Sequence, residues 1–506
     1  MAADIPVIDL FAGAGGLGEG FAETAPYRLA LSVEMNAAAC DTLRIRSIYR
    51  RLRDAGEIDV YRQWLLSADG RPVPAGLFER APAAARDADQ EVLCHQLGKD
   101  SDEELIGRIH GAINGRDSWV LVGGPPCQAY SVIGRSRNKG IADYRPEQDE
   151  RNFLYQEYLK ILAELAPPVF VMENVKGMLS ARVNGSNVFE QIVRDLEAPA
   201  QATGRGDGPR YQLHALSRAE ALFPAAGDFV VRAEDHGLPQ ARHRVIIVGV
   251  RADVGVRPAI LERGGSMGVQ KALRGLPRLR SRLSREDSFE AWHQSVVAGL
   301  GELVRREAGH LRGLPKGEEL LSQLRKIRGE IRKDPPKDHG ADVMEISGAA
   351  DGEPAPDWAV GVVDGLVLQH QSRSHMPSDL IRYVYAATFA KVIERSPKLH
   401  EFPESIQPAH KNRSSGHFSD RFRVQLRYGP STTITSHMSK DGHYYIHFDP
   451  VQCRSLTVRE AARLQTFPDD YFFAGNRTEQ YRQVGNAVPP ILGRLVAEAV
   501  CPTLCK

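Results

Sequence analysis

The sequence of 506 residues contains no apolar run long enough to cross a bilayer, so no membrane segment is expected. Its first predicted strand begins at about Ile5, which leaves no room for a signal or transit peptide. Its six cysteines are few and scattered, which favours free thiols in a reducing compartment over a disulfide scaffold. These absences predict an intracellular, cytoplasmic protein without a membrane partner.

The chain also lacks an excess of charge. Its formal net charge is +1, and its contents of 42% hydrophobic and 25% charged residues are ordinary for a globular protein. Cys501 and Cys505 have the spacing of half a zinc site, but no second pair accompanies them. We interpret them as incidental thiols and expect no metal. The length exceeds that at which one hydrophobic core keeps growing, which predicts two domains.

Predicted strands alternate with predicted helices in the first half of the chain. Strands are expected at 5–10, 29–34, 119–122, 169–172 and 245–250, with helical stretches such as 153–165 and 188–196 between them. This alternation is typical of an α/β fold in which helices cover a parallel sheet. We therefore predict a Rossmann-like, doubly wound sheet.

A cysteine follows one of these strands on a stiffened loop. Pro125-Pro126-Cys127-Gln128 comes after the apolar run at 119–122 and a Gly-Gly pair. Open parallel sheets bind ligands at the carboxyl ends of their strands, so Cys127 is placed as a nucleophile. The alternative is a small apolar side chain that fills the core, which is the commoner role of a single cysteine.

A glycine-rich turn follows the first strand. Gly13-Ala14-Gly15-Gly16-Leu17-Gly18 lets the backbone approach a ligand, and Glu34, at the end of the second strand, can accept hydrogen bonds from a ribose diol. These features serve NAD and S-adenosylmethionine alike. The turn therefore leaves a nicotinamide oxidoreductase open as an alternative.

The glycine turn, the cysteine loop and several further blocks resemble those of the DNA (cytosine-5) methyltransferase family, in residue identity and in order along the chain. The matching blocks cover roughly residues 1–40, 118–180, 232–250 and 430–495. They include Phe170-Val171-Met172-Glu173-Asn174-Val175, Gln240-Ala241-Arg242-His243-Arg244, the stretch from Arg454 to Gln465, and Gln483-Val484-Gly485-Asn486-Ala487-Val488.

The resemblance implies a catalytic role for four residues. Cys127 is expected to add to carbon 6 of the target cytosine, so that carbon 5 can take a methyl group; hydride transfer has no use for such a thiol. Glu173 is expected to hydrogen-bond ring nitrogen 3 and the amino group, where charge develops. Arg244 is expected near the cytosine oxygen and Glu173, with Arg242 bracing the loop. The two arginines alternate along an extended segment, so both are expected to enter one site.

The resemblance also implies a cofactor site and a substrate site. The expected cofactor is S-adenosylmethionine, bound by Phe11, Gly13, Ala14, Gly15, Gly16, Leu17, Glu34, Met35, Pro126, Asn486 and Ala487. The expected contacts with the target nucleotide come from Gln128, Ser131, Asn174, Gln240, Thr433 and Ile434. Thr433-Ile434 is the match to a Thr-Leu-like pair of the family, although a plain β-strand is an alternative there.

The sequence departs from the family at the third block, an acidic residue that contacts adenine. Leu97-Gly98-Lys99-Asp100 is the nearest candidate, and we assign it no role. Between Gln369 and Lys440 basic residues outnumber acidic ones, a bias that phosphate contacts require. Because the target base is stacked within a duplex, the resemblance also implies base flipping.

The resulting prediction is a methyltransferase domain over 1–265, with a helical insertion at about 45–95. A smaller target-recognition domain is expected over 266–452, with a linker at about 333–357, and residues 453–506 are expected to return to the catalytic domain. The expected partner is double-stranded DNA, in a nucleoid-associated bacterial enzyme of restriction-modification or anti-phage defence. A cognate restriction endonuclease or other defence proteins would be further partners. The alternatives are a transfer-RNA cytosine-5 methyltransferase and a DNA-binding protein with a vestigial site.

Overall fold

A computed structural model describes residues 4–67, 74–125, 150–183, 186–217, 224–346, 354–363, 365–408 and 420–505. Four residues of the predicted site, Pro126, Cys127, Gln128 and Ser131, lie outside these ranges. Within them, no helix is both long enough and apolar enough to cross a membrane.

A central eight-stranded sheet organises the first half of the chain. Its strand order is β3-β2-β1-β4-β5-β11-β8, and β9 also pairs with β11. The strands from β3 to β5 are mutually parallel, whereas β11 runs antiparallel to β5 and β8. The strands of this sheet are β1 (Ile5–Leu10), β2 (Tyr27–Glu34), β3 (Val92–Cys94), β4 (Val120–Gly123), β5 (Val169–Val175), β8 (Tyr211–His214), β9 (Val230–Arg232) and β11 (His243–Arg251).

Small two-stranded pairs complete the strands: β6 (Arg182–Val183) with β7 (Ser186–Asn187), β10 (Gln240–Ala241) with β16 (Ser431–Thr432), β12 (Arg282–Leu283) with β15 (Ser374–His375), and β13 (Gly340–Glu345) with β14 (Leu366–Gln371). The pair of β10 with β16 matters most, because it joins the segment that leads into β11 to one nearly two hundred residues further along the chain.

The helices lie between and after these strands. They are α1 (Gly16–Ala22), α2 (Ala37–Asp54), α3 (Ile58–Ser67), α4 (Pro74–Arg80), α5 (Pro82–Glu91), α6 (Asp102–Ile113), α7 (Glu150–Leu165), α8 (Val188–Glu197), α9 (Pro199–Ala202), α10 (Val269–Ala272), α11 (Phe289–Arg306), α12 (Ala308–Arg312), α13 (Gly317–Lys333), α14 (Pro377–Ile393), α15 (Val458–Leu464), α16 (Arg477–Asn486) and α17 (Pro490–Val500).

Apolar side chains cover both faces of the sheet, which confirms the predicted doubly wound arrangement. On one face, strand residues such as Leu10 and Phe170 pack with side chains of α6, α7 and α8. On the other, alternate strand residues such as Val7 and Val122 pack with α1 and α17. The two-residue period of a strand sends neighbouring side chains to opposite faces. Helix α17, near the end of the sequence, therefore packs with α1 on this face of the sheet.

The residues that lie between β11 and α15 in the sequence form a hydrophobic core of their own. Helices α11, α13 and α14 pack their apolar faces together, with Trp292, Leu324 and Val384 fully buried among them. The chain therefore builds a helical unit beside the sheet.

Two predicted segment boundaries need correction. The linker expected at 333–357 contains β13, which pairs antiparallel with β14. The insertion expected at 45–95 is helical from α2 to α5, but its last residues form β3 at the edge of the sheet. Both strands have weak patterns of their own, and pairing with a neighbouring strand decides their conformation.

The expectation of free thiols is wrong for one pair of cysteines. Cys501 and Cys505 form a disulfide at the end of α17. Cys40, Cys94 and Cys453 are free.

Candidate active site

The predicted site lies where the strand order of the sheet reverses. Strand β1 has β2 on one side and β4 on the other, so the chain leaves the carboxyl ends of β1 and β4 in opposite directions and opens a crevice between them. The glycine turn follows β1, and Gly124-Pro125 follows β4. Strand β11 begins at this same edge, because its antiparallel register places Arg244 opposite Val175.

The glycine turn has the geometry of a ligand cradle. Gly13 has φ +57°, and a Cβ added there would meet nothing within 4 Å, so its open side can accept a ligand. A Cβ on Gly16 would instead lie 2.0 Å from the carbonyl oxygen of Val488. One glycine therefore keeps space open, and the other allows the C-terminal segment to approach α1.

Glu34 is held beside this turn by two backbone donors. The N–H of Gly13 donates to its Oε2 and the N–H of Asn36 to its Oε1, each at 2.8 Å. Each carboxylate oxygen has a further lone pair to offer, so the group can still accept hydrogen bonds from a ribose. Met35, the next residue, is 59% exposed. The acceptor and the open glycine fit the nucleoside half of S-adenosylmethionine.

Asp9 lies beneath the turn and was not among the predicted site residues. It is buried in β1, and its Oδ2 accepts the N–H of Gly18 at 3.2 Å. Burial raises the pKa of Asp9 to about 8; the hydrogen bond from Gly18 opposes this, and the charge of Glu34 adds to it. An acidic residue inside the apolar run Val7-Ile8-Asp9-Leu10 is the signal that sequence reasoning passed over.

Glu173 and Arg244 form an ion pair at the mouth of the crevice. Arg244 Nε lies 2.7 Å from Glu173 Oε1, and the two side chains retain 13% and 15% of their surface. Glu173 also borders the loop after β4, because a Cβ on Gly124 would lie 2.9 Å from its Oε2. The pair is therefore fixed in position and still open to a ligand.

Asn174 ties the base of the predicted thiol loop to β5. Its Nδ2 donates to the carbonyl oxygen of Pro125 at 3.1 Å, and its Oδ1 accepts the N–H of Val175 at 2.8 Å. The side chain is buried. Asn174 thus fixes the point where the chain leaves the sheet, two residues before Cys127 in the sequence.

Arg242 and Arg244 come close but bind different partners. Arg242 is buried, and its Nη1 donates to the carbonyl oxygens of Ile434 at 2.9 Å and Gly485 at 3.5 Å. Burial and then the like charge of Arg244 lower the pKa of Arg242, while Glu173 opposes them. Among the described residues, Arg244 makes the direct contact with Glu173, and Arg242 joins three chain segments behind it.

Hydrogen bonds join β10 to the segment that contains β16 and the two residues after it, Thr433 and Ile434. Gln240 Oε1 accepts the N–H of Ile434 at 2.7 Å, and its Nε2 donates to Leu464 O and Gln465 Oε1. Thr433 Oγ1 donates to Ala241 O at 2.6 Å. Gln240 and Ile434 are fully buried, whereas Thr433 is half-buried. Their predicted contacts with a target base remain predictions, and Thr433 alone of the three has surface to offer.

The block at the end of the chain also reaches the crevice. Asn486 is the exposed last residue of α16, and Ala487 after it is buried. Gly485 packs so closely that an added Cβ would lie 2.2 Å from the carbonyl carbon of Thr435. The exposed amide of Asn486 is therefore held next to the segment that follows Thr433.

Gln96 follows β3, next to the stretch at 97–100 that is the nearest candidate for the third family block. Gln96 is half-buried just after this strand, and its N–H donates to Asp100 Oδ2 at 2.6 Å. Because β3 lies beside β2, Gln96 falls at the same sheet edge as Glu34. The strand has only three residues, which is too short for a pattern in the sequence to reveal it.

Several of the basic residues expected to meet phosphate are engaged within the protein. Arg382, Arg395, Arg421 and Arg423 lie within 4 Å of acidic side chains. Arg373 donates to backbone carbonyl oxygens. The described residues include no group of three or more His, Cys, Asp or Glu side chains able to hold a metal ion.

Comparison with known proteins identifies similar chains. Residues 99–274 and 367–501 match the family model described as C-5 cytosine-specific DNA methylase. The chain is 30% identical to type II methyltransferase M.Bpa9945I of Bacillus paralicheniformis, over 98% of both chains. It is 27% identical to type II methyltransferase M.AgeI of Thalassovita gelatinovora, over 97% of this chain and 98% of that protein.

Two further similarities extend the comparison. The chain is 25% identical to DNA (cytosine-5-)-methyltransferase M.ApeKI of Aeropyrum pernix, over 98% of each. A solved structure of a prophage-encoded protein assigned as a DNA modification methyltransferase (E. coli) resembles it with a TM-score of 0.51 at 19% identity, over 98% of both chains. This last similarity concerns the fold.

Proposed function

The chain belongs to the C-5 cytosine-specific DNA methylase family and is a DNA (cytosine-5-)-methyltransferase, and on this premise we propose that it acts through a covalent adduct between Cys127 and a flipped-out cytosine. The observation that carries the proposal is the junction of three elements at one sheet edge. Asn174 holds Pro125, Glu173 borders Gly124, and Arg244 pairs with Glu173. The thiol loop thus begins directly beside a charged pair.

The chemistry requires this combination of groups. Carbon 5 of cytosine is a weak nucleophile toward a methyl sulfonium. Addition of the Cys127 thiolate to carbon 6 would make the ring electron-rich, so that carbon 5 could form a bond to the methyl group. The bond between this methyl group and the sulfonium sulfur would break at the same time, and a neutral thioether would leave. Loss of the proton from carbon 5 then restores the ring and expels the thiolate.

Glu173 and Arg244 would stabilise the charge that the addition places on the ring. The carboxyl group of Glu173 would hydrogen-bond nitrogen 3 and the amino group, and the guanidinium of Arg244 would contact the exocyclic oxygen. The existing ion pair fixes both groups before a base arrives, so little reorganisation accompanies the reaction. A stacked base cannot present carbon 6 to a thiol, which is why the mechanism includes base flipping.

S-adenosylmethionine, the cofactor that this family generally uses, would supply the methyl group. Glu34 would accept hydrogen bonds from the ribose of the cofactor, and the open space beside Gly13 would leave room for the cofactor next to the backbone. Gln96, which follows β3 at the same sheet edge as Glu34, would contact the base of the nucleoside. The exposed amide of Asn486 would contact the methionine end.

The proposed substrate is double-stranded DNA at a short recognition sequence, and the proposed biological role is modification within a restriction-modification or related anti-phage system. Support comes from the relatives, which are named type II methyltransferases and match this chain over nearly its whole length. A cognate endonuclease would be the natural partner.

Methyl incorporation tests the proposal. The purified chain and Cys127→Ser are incubated with S-adenosylmethionine and either duplex DNA or transfer RNA, and bisulfite sequencing locates the product. We expect methylated cytosine at one short sequence in duplex DNA from the unmodified chain and none from the variant, with cofactor binding close to normal in both. Turnover by the serine variant, or methylation of transfer RNA alone, would refute it.

A further inference from the structure

We propose that Arg373 is a positioning residue that holds the turn Thr435–Lys440 against duplex DNA and so determines how tightly and how selectively the enzyme engages its site. The inference rests on the proposed function, because it concerns the same DNA. It assigns a role to a side chain that none of the catalytic steps uses.

The turn begins at the active-site edge. Arg242 donates to the carbonyl oxygen of Ile434, the residue before the turn, and Thr433 Oγ1 donates to Ala241 O. His437 is four residues beyond Thr433, so the chain can carry it at most about 13 Å from that threonine. The turn is therefore close enough to the crevice to contact a duplex whose target base enters it.

Arg373 binds the far end of the turn through its backbone. Its Nη1 donates to Met438 O at 2.6 Å, and its Nη2 donates to Ser439 O and Lys440 O, both at 2.9 Å. Residues Ser436–Ser439 form a single 3-10 turn, so these carbonyl oxygens are the unpaired acceptors of its end. One planar guanidinium satisfies all three.

The ring of Tyr481 supports this guanidinium, with its centroid 4.8 Å from Arg373 Cζ. A lysine ammonium is a point charge that does not present such a fork of donors. The contact therefore depends on the shape of the arginine as well as on its charge.

The opposite side of the turn is fixed as well. Gly485 leaves no room for a side chain between α16 and Thr435-Ser436, and Tyr445 Oη accepts the N–H of Thr435 at 3.2 Å. The turn is thus held between α16 on one side and Arg373 on the other. These contacts restrict the conformation of its backbone.

Three side chains of this fixed segment are exposed: His437, Lys440 and Asp441, the residue after the turn. An imidazole, an ammonium and a carboxylate together offer donors and acceptors to base edges and phosphates. A turn that is already ordered binds DNA without the entropic cost of ordering it, and only in one register. Loss of Arg373 should weaken DNA binding and relax discrimination between sites.

The test uses full-length Arg373→Lys and Arg373→Gln, with Arg382→Lys as the matched control. Arg382 lies in α14 and donates to Ile406 O and Asp379 Oδ1, neither of which belongs to the turn. For both Arg373 variants we expect KM for cognate duplex to rise about tenfold, with kcat at saturating duplex and the dissociation constant for S-adenosylmethionine within about twofold. The ratio of kcat/KM between cognate and single-mismatch duplexes should fall by a similar factor.

Arg382→Lys should leave KM for duplex and the selectivity ratio unchanged. Unchanged KM and selectivity in Arg373→Lys, or parallel losses of DNA binding, cofactor binding and thermal stability, would overturn the inference while leaving the proposed function intact.

If the Arg373 variants fail to fold, Lys440→Ala and His437→Ala test the same surface. A raised KM in these exposed variants supports the inference, and an unaltered KM in both overturns it. An unmodified chain that methylates no duplex would instead remove the proposed function, and this inference with it.

Discussion

Two arginine–glutamate pairs in this molecule have the same chemical groups and opposite surroundings. At the crevice, Arg244 and Glu173 meet at 2.7 Å, and their side chains keep 13% and 15% of their surface. In α15 and the segment before it, Arg454 donates to both oxygens of Glu460, at 2.6 and 2.7 Å, and the two side chains are only 1% and 2% exposed. Burial, rather than residue type, separates the pair that can meet a ligand from the pair that holds the fold.

The buried pair has every position filled by the protein. Arg454 also donates to Gln452 Oε1 and Leu279 O, and Glu460 accepts the N–H of Thr457 to cap its own helix, α15. Burial alone would raise the pKa of Glu460, but Arg454 overcomes this and lowers it below the usual range. This network holds both side chains inside the protein, away from any substrate.

The largest expected effect comes from breaking the buried pair. Glu460→Gln leaves Arg454 buried without a charge partner, so we expect the free energy of unfolding to fall by about 3–5 kcal/mol. Urea unfolding measures it. The control is Glu498→Gln, which removes an exposed partner 3.8 Å from Arg494 and should cost less than about 1 kcal/mol. Equal losses in both variants would contradict the distinction drawn here.

The open pair should respond in rate instead of stability. For Glu173→Gln we expect kcat to fall by about 10²- to 10³-fold, because a stabilising group is lost where charge develops on the ring. Its unfolding free energy should fall by less than that of Glu460→Gln, since the Glu173–Arg244 pair keeps more contact with solvent. Single-turnover methyl transfer to duplex DNA gives the rate. A variant within threefold of the unmodified rate would mean that Glu173 has no part in the chemistry.

A smaller effect should follow from crowding the contact between the two regions. Gly485→Ala places a Cβ 2.2 Å from the carbonyl carbon of Thr435, so one backbone must move, at a cost of about 1–3 kcal/mol. Thermal unfolding checks this. Gly107→Ala in α6 is the control, because nothing lies within 4 Å of its added Cβ, and alanine favours a helix. A Gly485→Ala protein as stable as the Gly107→Ala protein would show that this contact is loose.

The most selective effects should appear as opposite pH dependences of stability in the two regions. Asp9 has a pKa of about 8 in the folded chain and an ordinary value of 3.8, so the folded state binds the extra proton between these values. The contribution of Asp9 to stability therefore falls as pH rises from about 4 to 8. Asp9→Asn should remove that slope, as measured by urea unfolding at intervals across this range.

His370 should show the reverse slope. It lies buried near the Arg454–Glu460 pair, with Nε2 donating to Pro277 O at 2.9 Å, and burial lowers its pKa from 6.5 to about 4. The unfolded state binds the extra proton between these values, so stability falls as pH falls through that window. His370→Gln should flatten the acid side of the stability curve and leave the alkaline side unchanged. A variant that retains the full acid slope would assign that slope to other groups.

The sequence predicted the sheet well because buried parallel strands are continuous apolar runs. β1, β4 and β5 begin within a residue of the predicted positions, and β2 and β11 begin two residues earlier. It could not predict β13, whose residues Gly340–Glu345 show little pattern and depend on β14. Pairing of distant segments is a tertiary property, and no local signal encodes it.

The same limit applies to the site. The family blocks predicted that Glu173 and Arg244 lie near one another, and the structure brings them together. They could not show that Arg242 turns away to the carbonyl oxygens of Ile434 and Gly485, because the strand changes between β10 and β11 and interrupts the two-residue period. The partners of Arg373 could not be predicted either, because they are backbone carbonyl groups, which every residue carries.

Covalent trapping tests the central claim most directly. The chain is incubated with S-adenosylmethionine and a duplex that carries 5-fluorocytosine at the methylated position, then denatured and separated by gel electrophoresis. Fluorine cannot leave carbon 5 as a proton does, so we predict a protein–DNA adduct that survives denaturation, with its attachment at Cys127 by peptide mass analysis. Release of all DNA in denaturant from a chain that methylates the ordinary duplex would contradict the account.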